Sequence, residues 1–500
     1  MASALAAYGA WNGLEFNVLA GPYDDTMSLH LEGKADLELV WLDVSRLTGL
    51  DSESIVAWLI ERLQVLRAAT INPIICLAFP LPSAAMEELQ RHEIPGVQFP
   101  DMNPLATETG PAWLDSRTLV LSGTRLSSVA CMRIARELAC RWIPASTMPP
   151  VKAMVVDLDN TLFSGVIAED ESHGVRLTPA HRALQSSLVS LHEQGVYLAL
   201  VSRNEMADIE TLFAARPDFP LRLSHFATVQ ASWDDKSIAL RKVADALRID
   251  FSAMAYVDDN AGELAEIAEQ LPLFTVHAGA DALQTCAALN SVAGLFRWRR
   301  SREDGLRAID IGTSARRASV AATARSRADY LRDLQVRLGY AVNDKQTLPR
   351  VHELVHKTNQ FNVTLRRLSE VELARMTADE NSRVVTISLE DRLSDSGLIG
   401  VVAATRDADT LIIAELCLSC RALGRHLEST MVTHALRILA GELPVSRVTF
   451  PVRIGPRNGP ARKWLATYLG LNIGEACSDL TAEARWLVER PVDELVTVRF

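Results

Sequence analysis

Alternating apolar and polar stretches divide the first 148 residues into predicted strands and helices. Apolar runs at 37–42 and 74–79 predict strands, and residues 55–69 and 127–141 have the spacing of amphipathic helices. This alternation is typical of an α/β domain. Because the segment carries no glycine-rich phosphate loop and no metal-ligand spacing, we expect it to serve as a scaffold or a docking surface.

The dipeptide Pro149-Pro150 breaks the chain and marks the boundary of a second segment, 149–295, in which strands and helices alternate again. A helix is predicted at 179–194, and the glycine and β-branched residues at 163–167 predict a small hairpin. Three apolar runs predict buried parallel strands: 154–157, 196–201 and 254–257. We therefore expect a parallel sheet of the Rossmann type, with helices on both faces.

Two carboxylates, Asp157 and Asp159, stand at the end of the first of these strands. On an extended backbone this spacing places both on one face, at the sheet edge where open α/β folds carry their chemistry. Neighbouring carboxylates repel each other unless a cation lies between them. The pair therefore predicts a Mg²⁺ site, with one carboxylate acting as nucleophile and the other transferring protons. An acidic turn is the structural alternative.

Polar residues follow the other two strands in the order that phosphoryl transfer requires. Ser202 can donate a hydrogen bond to a phosphate oxygen, and Lys236 can neutralise another. Asp258 and Asp259 can complete a metal shell with Asp157 and Asp159. Taken singly, these residues also fit a helix N-cap, a solvated lysine and an acidic turn, but their combination predicts a phosphoryl site. Three neighbouring residues are further candidate phosphate ligands: Asn160, Thr161 and Arg203.

The intervals between these residues are short. Ser202 lies 45 positions after Asp157, and Lys236 lies 34 positions after Ser202. The predicted strands and helices already fill the first interval, and neither has room for an additional cap domain. The sequence therefore predicts an open site for a bulky or protein-borne substrate, or a site covered by another domain.

A basic stretch at 296–332 separates the second segment from a third, 333–500. The arginines fit either a solvated linker helix or a docking strip for an acidic partner. In the third segment, a helix is predicted at 351–358 and another ends near residue 440. Four runs predict the strands of an antiparallel sheet: 336–343, 384–390, 399–404 and 410–417.

A loop between the last of these strands and the following helix contains Cys420. A thiol near a helix N-terminus, flanked by Arg421 and Arg425, favours the thiolate, although a small packing residue is the structural alternative. A loop containing Gly424 before a helix can hold a pyrophosphate or pantetheine arm on backbone N–H groups. Cys417 and Cys420 are not followed by a second pair or a histidine set, so they do not predict a metal site.

Composition restricts the function further. The net charge of −11 argues against nucleic-acid binding, and seven scattered cysteines fit a reducing compartment better than a disulfide framework. No signal-peptide pattern and no long apolar run is present in the sequence. We expect a cytoplasmic protein that neither is secreted nor binds a membrane.

Residues 149–295 resemble the haloacid dehalogenase (HAD) superfamily of aspartyl phosphotransferases. The resemblance assigns Asp157 as nucleophile and Asp159 as acid/base, with Ser202, Lys236 and Asp258 followed by Asp259 in the later motifs. It implies a Mg²⁺-dependent phosphatase domain without a cap. The loop at Arg421 resembles the acyl-CoA loop of GNAT acyltransferases, although His426 replaces the last small residue of that pattern.

The whole chain resembles the FkbH-like family of polyketide pathways, on the stretches 157–170, 357–362 and 419–425. Phe163 and Ser164 stand where that family has Trp-Gly. The resemblance implies loading of a glyceryl unit from 1,3-bisphosphoglycerate onto the phosphopantetheine arm of an acyl carrier protein. Cys420 would carry the acyl group as a thioester, and the aspartate site would remove the remaining phosphate. The residues implied in acyl or pantetheine binding are Asn359, Gln360, Asn362, Arg421, Gly424 and Arg425.

Two other functions fit the sequence. The first is a simple phosphatase of the HAD type whose C-terminal domain only packs. The second is a non-enzymatic scaffold that docks a carrier protein through the arginines at 296–332, although the complete set of acids with Ser202 and Lys236 weighs against it.

Overall fold

The computed structural model describes residues 2–21, 33–118, 124–247, 249–279, 281–298, 313, 316, 317, 320, 322–419, 421–423, 425–455, 457–471 and 479–499, with the backbone alone at 170–173. The chain forms two compact units, one of residues 1–192 and 196–300 and the other of residues 193–195 and 301–500. None of the helices in these described ranges is long and apolar enough to span a membrane.

The first unit begins with a three-stranded parallel sheet of order β1-β2-β3. Its central strand, Ile-Ile-Cys-Leu-Ala-Phe, is buried at five of six positions, as expected for a parallel strand that helices cover. The strands are β1 (Glu38–Asp43), β2 (Ile74–Phe79) and β3 (Val97–Gln98). The helices are α1 (Ala2–Trp11), α2 (Ser52–Ala69), α3 (Ser83–Arg91), α4 (Asn103–Thr109), α5 (Ser128–Glu137) and α6 (Ile143–Thr147).

A five-stranded sheet, entirely parallel and of order β6-β5-β4-β7-β8, forms the second half of this unit. Strand β4, at its centre, is buried at all four positions. The strands are β4 (Ala153–Val156), β5 (Tyr197–Ser202), β6 (Phe226–Ala231), β7 (Met254–Asp258) and β8 (Phe274–His277). The helices are α7 (Ile167–Gly174), α8 (Pro179–Glu193), α9 (Met206–Ala215), α10 (Lys236–Leu247), α11 (Ala261–Gln270) and α12 (Ala282–Leu289).

Buried hydrogen bonds join these two halves across the boundary predicted at residue 149. Asn12 donates from Nδ2 to the carbonyl of Ser291 at 3.0 Å, and its Oδ1 accepts the N–H of Ala293 at 2.8 Å. Arg136 also donates to the hydroxyl of Ser291, at 2.6 Å. Since removing one partner from a buried hydrogen bond costs about 1–3 kcal/mol, these contacts hold the two halves together as one unit.

The second unit contains a seven-stranded sheet of order β14-β13-β12-β11-β10-β9-β15. One face packs on a large apolar core with Met431, Leu436 and Leu439, and the other packs on Val351 and Leu354. The strands are β9 (Arg337–Val342), β10 (Ser382–Glu390), β11 (Asp395–Asp407), β12 (Thr410–Leu418), β13 (Arg447–Phe450), β14 (Leu480–Glu483) and β15 (Thr497–Arg499). The helices are α13 (Arg327–Leu334), α14 (Leu348–Lys357), α15 (Glu370–Ala378), α16 (Glu428–Glu442), α17 (Gly459–Leu469) and α18 (Ala484–Val488).

The predicted fold class, α/β with a parallel central sheet, is confirmed by this topology. Two details differ. The expected hairpin at 163–167 is wrong, because one bridge pairs Ser164 with Arg176 and residues 167–174 form helix α7. The third-segment sheet is mixed, since β12 runs parallel to β13 and β15 runs parallel to β9. Most of the basic stretch at 296–332 lies outside the described residues.

Candidate active site

The predicted phosphoryl residues meet at one edge of the five-stranded sheet, at or just after the ends of four strands. Asp157 directly follows β4, Ser202 ends β5, Asp258 ends β7, and Lys236 begins the helix after β6. Carboxyl ends of parallel strands meet at one edge of a sheet, which is why residues up to 101 positions apart share a site. All four side chains are buried, with at most 8% of each residue exposed.

A single ammonium group organises the cluster. Nζ of Lys236 lies 2.6 Å from Oδ1 of Asp157, 2.6 Å from Oδ2 of Asp258 and 3.2 Å from Oε2 of Glu263. The hydroxyl of Tyr256 also donates to Asp258, whose other oxygen accepts the N–H of Asn260 at 2.8 Å. The Lys236 ammonium thus faces three carboxylates inside the protein. Glu263 also pairs with Arg203 at 2.8 Å, so two cations stand against three carboxylates and the local charge remains negative.

The electrostatics follow from that imbalance. Burial raises the pKa of Asp157 to about 7, with the Lys236 ammonium opposing the rise and Asp258 adding to it. Burial also raises the pKa of Asp259, and Asp258 adds to that rise. Burial alone would lower the pKa of Lys236, but the carboxylates of Asp157 and Asp258 raise it above its ordinary value. The site therefore favours an additional positive charge.

Carboxylate oxygens of Asp157, Asp258 and Asp259 lie within 4.8 Å of one another, close enough to share a cation. Among the described residues, no other group of three or more His, Cys, Asp or Glu side chains has this geometry. Three oxygen donors with excess negative charge suit a hard divalent cation. The Asp159 side chain, also predicted as a metal ligand, lies outside this group of three carboxylates. Its Oδ1 accepts the N–H of Ile167 at 3.0 Å, and its Oδ2 accepts an N–H of Asn204 at 2.6 Å.

The candidate phosphate ligands take different positions. Thr161 is 1% exposed, and its Oγ1 has no hydrogen-bond partner among the residues that the structure describes. Asn160 adopts a left-handed conformation with φ of 52° and accepts the N–H of Gly165 at 3.0 Å, so its side chain holds the turn. Arg203 is paired with Glu263 at 2.8 Å. Of these three, Thr161 has the unmet hydrogen-bonding capacity that suits a ligand oxygen.

Three residues of the site were missed from the sequence: Asn204, Tyr256 and Glu263. Tyr256 precedes Asp258 by two positions on β7, and alternation along a strand places both on one side. Glu263 lies in the first turn of α11, whose N-cap is Asn260. Asn204 follows Ser202 by two positions. The strand and cap spacing could have indicated Tyr256 and Glu263, whereas nothing local indicated the contact of Asn204 with Asp159.

In the second unit, Cys420 and Gly424 lie outside the described residues. The neighbouring arginines, Arg421 and Arg425, are both buried. Arg425 is 3% exposed and its guanidinium lies 3.0 Å from a carboxylate oxygen of Asp391, which also pairs with Arg317 at 2.8 Å. Arg421 is 9% exposed and donates to the carbonyl of Leu398 at 3.3 Å. Both arginines are buried and contact their own chain, and their role in acyl or pantetheine binding stays a prediction.

The segment 359–363 runs beside β12, the strand that leads toward Cys420. Strands β12 and β13 pair over only three residues, 410–412 with 447–449. Beyond that point, three backbone hydrogen bonds connect the segment to its neighbours. The N–H of Val363 donates to the carbonyl of Leu416, and the N–H of Leu418 donates to the carbonyl of Phe361. The N–H of Arg453 donates to the carbonyl of Val363. The segment therefore fills the gap where the two strands no longer pair and satisfies backbone groups on both sides of it.

The three predicted binding residues of this segment differ in burial and in their hydrogen bonds. Asn362 is fully buried, and its Oδ1 accepts the N–H of Leu365 at 2.8 Å, so its side chain stabilises the local backbone. Asn359 accepts a hydrogen bond from Arg367 at 2.8 Å. Gln360 is exposed, and its carbonyl accepts the N–H of Ala461 at the start of α17. Of the three, Gln360 has the most accessible side chain.

No family model matches this chain, and no curated protein matches it. The N-terminal part, containing a phosphatase domain, of a Bacteroides fragilis protein complexed with Mg is similar at 17% identity and a TM-score of 0.49, over 60% of this chain and 91% of its own. The 3-deoxy-D-manno-octulosonate 8-phosphate phosphatase of Moraxella catarrhalis is 18% identical over 28% of this chain and 85% of its own, with a TM-score of 0.21. A GNAT family N-acetyltransferase of Escherichia coli is 14% identical over 33% of this chain and 91% of its own, with a TM-score of 0.22.

Proposed function

We propose that the first unit is a Mg²⁺-dependent phosphohydrolase of the HAD type that works through an aspartyl-phosphate at Asp157. The observation that carries the proposal is the Lys236 ammonium, 2.6 Å from both Asp157 and Asp258, beside a group of three carboxylates able to hold a cation. Asp157, Asp258 and Asp259 would hold Mg²⁺, which would neutralise negative charge on a bound phosphate.

The residues would divide the reaction as follows. An oxygen of Asp157 attacks phosphorus, and the bond from phosphorus to the leaving oxygen breaks as that oxygen takes a proton from Asp159. Lys236 and the Ser202 hydroxyl would stabilise negative charge on the phosphoryl oxygens. Water then attacks the aspartyl-phosphate and gives a proton to Asp159. Inorganic phosphate leaves, and the Asp157 carboxylate is regenerated.

The nucleophile assignment is tested with Asp157→Asn and intact-mass spectrometry. Wild-type protein with Mg²⁺ should release phosphate from a small monoester, and rapid acid quenching should trap a phosphoryl adduct. Asp157→Asn should show neither, because an amide is a poor nucleophile. Phosphate release by Asp157→Asn at the wild-type rate would exclude the aspartyl-phosphate.

We further propose that the substrate carries an acyl phosphate and that the second unit transfers the acyl group. In this scheme the Cys420 thiolate attacks the acyl carbon of 1,3-bisphosphoglycerate, and the carbon–oxygen bond to phosphate breaks. The first unit hydrolyses the remaining phosphate, and the pantetheine thiol of a carrier protein takes the glyceryl group. The support is the resemblance at 357–362 and 419–425.

Incubation of holo-carrier protein with enzyme, Mg²⁺ and 1,3-bisphosphoglycerate tests the transfer by mass analysis. A glyceryl adduct on the carrier is expected with wild-type protein and not with Cys420→Ala. Cys417→Ala is the matched control, since Cys417 is fully buried on β12. The Cys420→Ala protein should still release phosphate from a small ester.

A simple phosphatase is the second candidate function. It is favoured by the buried ion pair of Arg425 with Asp391 and by the segment that fills the gap beside β12. It predicts phosphate release with no adduct on either Cys420 or the carrier. The same mass measurement therefore decides between the two functions.

A further inference from the structure

Asn204 lies between the predicted acid/base and the predicted phosphate ligand of the phosphatase site. Its Nδ2 donates to Oδ2 of Asp159 at 2.6 Å and to Oγ of Ser202 at 2.9 Å. The residue is 4% exposed, in the turn between β5 and α9. An amide nitrogen has two protons, so one side chain can serve both acceptors.

These contacts fix the orientation of the Asp159 carboxylate. The backbone N–H of Ile167 holds Oδ1 at 3.0 Å, and Asn204 holds Oδ2 at 2.6 Å. Free rotation about the last side-chain bond is removed, because each oxygen has its own donor. An ionised carboxylate oxygen has more than one acceptor site, so Oδ2 can still exchange a proton with a reacting group.

The same amide also directs the Ser202 hydroxyl. Since Oγ accepts an N–H from Asn204, the hydroxyl proton is left to point elsewhere. A donor held in this way can meet a phosphate oxygen without first reorienting, which is how preorganised donors contribute to catalysis. Asn204 therefore couples the group that would bind phosphate to the group that would move the proton.

We propose that Asn204 is a positioning residue that holds Asp159 for proton transfer to the leaving oxygen. The proposal rests on the proposed phosphatase function. In the step concerned, the bond between Asp157 Oδ and phosphorus forms, the bond between phosphorus and the leaving oxygen breaks, and the proton of Asp159 passes to that oxygen. Asn204 touches none of the reacting atoms.

The dependence of rate on the leaving group distinguishes this role from a structural one. A p-nitrophenolate leaving group departs without protonation, whereas the alkoxide of an alkyl phosphate needs a proton from the acid. General acid catalysis contributes about 10²–10⁴-fold, so Asn204→Ala should slow an alkyl phosphate by at least about tenfold more than p-nitrophenyl phosphate. The quantity to compare is the ratio of the two kcat/KM values, because kcat/KM reports the step in which the leaving group departs, whereas hydrolysis of the aspartyl-phosphate is common to both esters.

Other substitutions at position 204 distinguish loss of the hydrogen-bond donor from loss of side-chain volume. Asn204→Asp keeps the size of the side chain but sets an acceptor against Asp159, so it should not restore turnover of the alkyl phosphate. Asn204→Ser retains a short donor and should restore part of it. Glu205→Ala, at the next and exposed position, should leave the ratio of kcat/KM values unchanged.

Equal losses with both esters in Asn204→Ala, or full activity of Asn204→Asp on the alkyl phosphate, would overturn the positioning role and leave the phosphatase intact. Wild-type protein that hydrolyses neither ester with Mg²⁺ would instead overturn the phosphatase and, with it, this proposal. A selective loss with the alkyl ester supports both.

Discussion

The ammonium of Lys236 lies 2.6 Å from a carboxylate oxygen of Asp157. Lys236 comes from the start of α10 and Asp157 from the end of β4, so the pair joins two elements at one edge of the sheet. Because Asp258 lies at the same distance, one cation compensates two buried anions. The cost of removing that cation is the first property to measure.

Lys236→Met should lower the free energy of unfolding by about 3–5 kcal/mol in the presence of EDTA, the usual cost of leaving buried charges uncompensated. Denaturant unfolding measures it. Lys242→Met is the control, because Lys242 pairs with Asp234 at 3.3 Å on the surface and both side chains are about half exposed. The control should change stability by less than about 1 kcal/mol. Equal effects of the two substitutions would contradict the compensation.

Mg²⁺ binding, followed by calorimetric titration, should depend on Asp258 and not on the carboxylate of Asp159. Asp258→Asn removes a charge from the group of three carboxylates and should weaken Mg²⁺ binding by at least about tenfold, the lower bound for losing a supporting metal contact. Asp159→Asn should change affinity little, since that side chain is bound by Ile167 and Asn204. Asp235→Asn, at an exposed position, is the control. Similar losses in Asp159→Asn and Asp258→Asn would make Asp159 a ligand after all.

Arg425→Met should destabilise the protein by about 3–5 kcal/mol, because it removes one of the cations that compensate the buried Asp391 carboxylate. Thermal unfolding of the variant tests the structural role assigned to this arginine. Arg485→Met, on a surface pair at 2.8 Å with Glu489, provides the control and should leave the melting temperature nearly unchanged. A stable Arg425→Met protein that has lost carrier-protein loading would instead return the residue to ligand binding.

The second unit should lose stability as the pH falls below about 6.5, through His356. Burial lowers the pKa of His356 from 6.5 to about 3, and the neighbouring His352 and Arg367 add to the effect, while its ring hydrogen bond to the His352 carbonyl opposes it. Between these pH values the unfolded chain binds a proton that the folded chain does not, so the free energy of unfolding falls as the pH decreases.

His356→Gln removes this titration, so the difference in unfolding free energy between variant and wild type should shrink as the pH is lowered from 7.5 to about 5. Unfolding series at several pH values measure it. His426→Gln, at an exposed position, is the control substitution. A constant difference for His356→Gln would mean that His356 is not buried in its neutral form.

The amino-acid sequence determined the order of the catalytic candidates and the strands with long apolar runs, such as β4, β5 and β7, whereas β3, β6 and β8 were not predicted. Buried strands such as Ala153–Val156 are continuous apolar runs, and their polar ends are visible because a carboxylate rarely follows such a run without a partner. Helix ends were predicted within a few residues for the same reason, as local spacing and caps set them. These features depend on neighbours in the chain.

Tertiary structure decided the rest, because long-range contacts are not encoded in local spacing. Only folding reveals that Asn204 holds Asp159, that Glu263 joins the Lys236 cluster, and that Arg425 pairs with Asp391. The same holds for the segment 361–363, which fills the gap beside β12. A side chain's spacing indicates the face it occupies, but which charge or donor meets it there depends on elements that are distant in sequence.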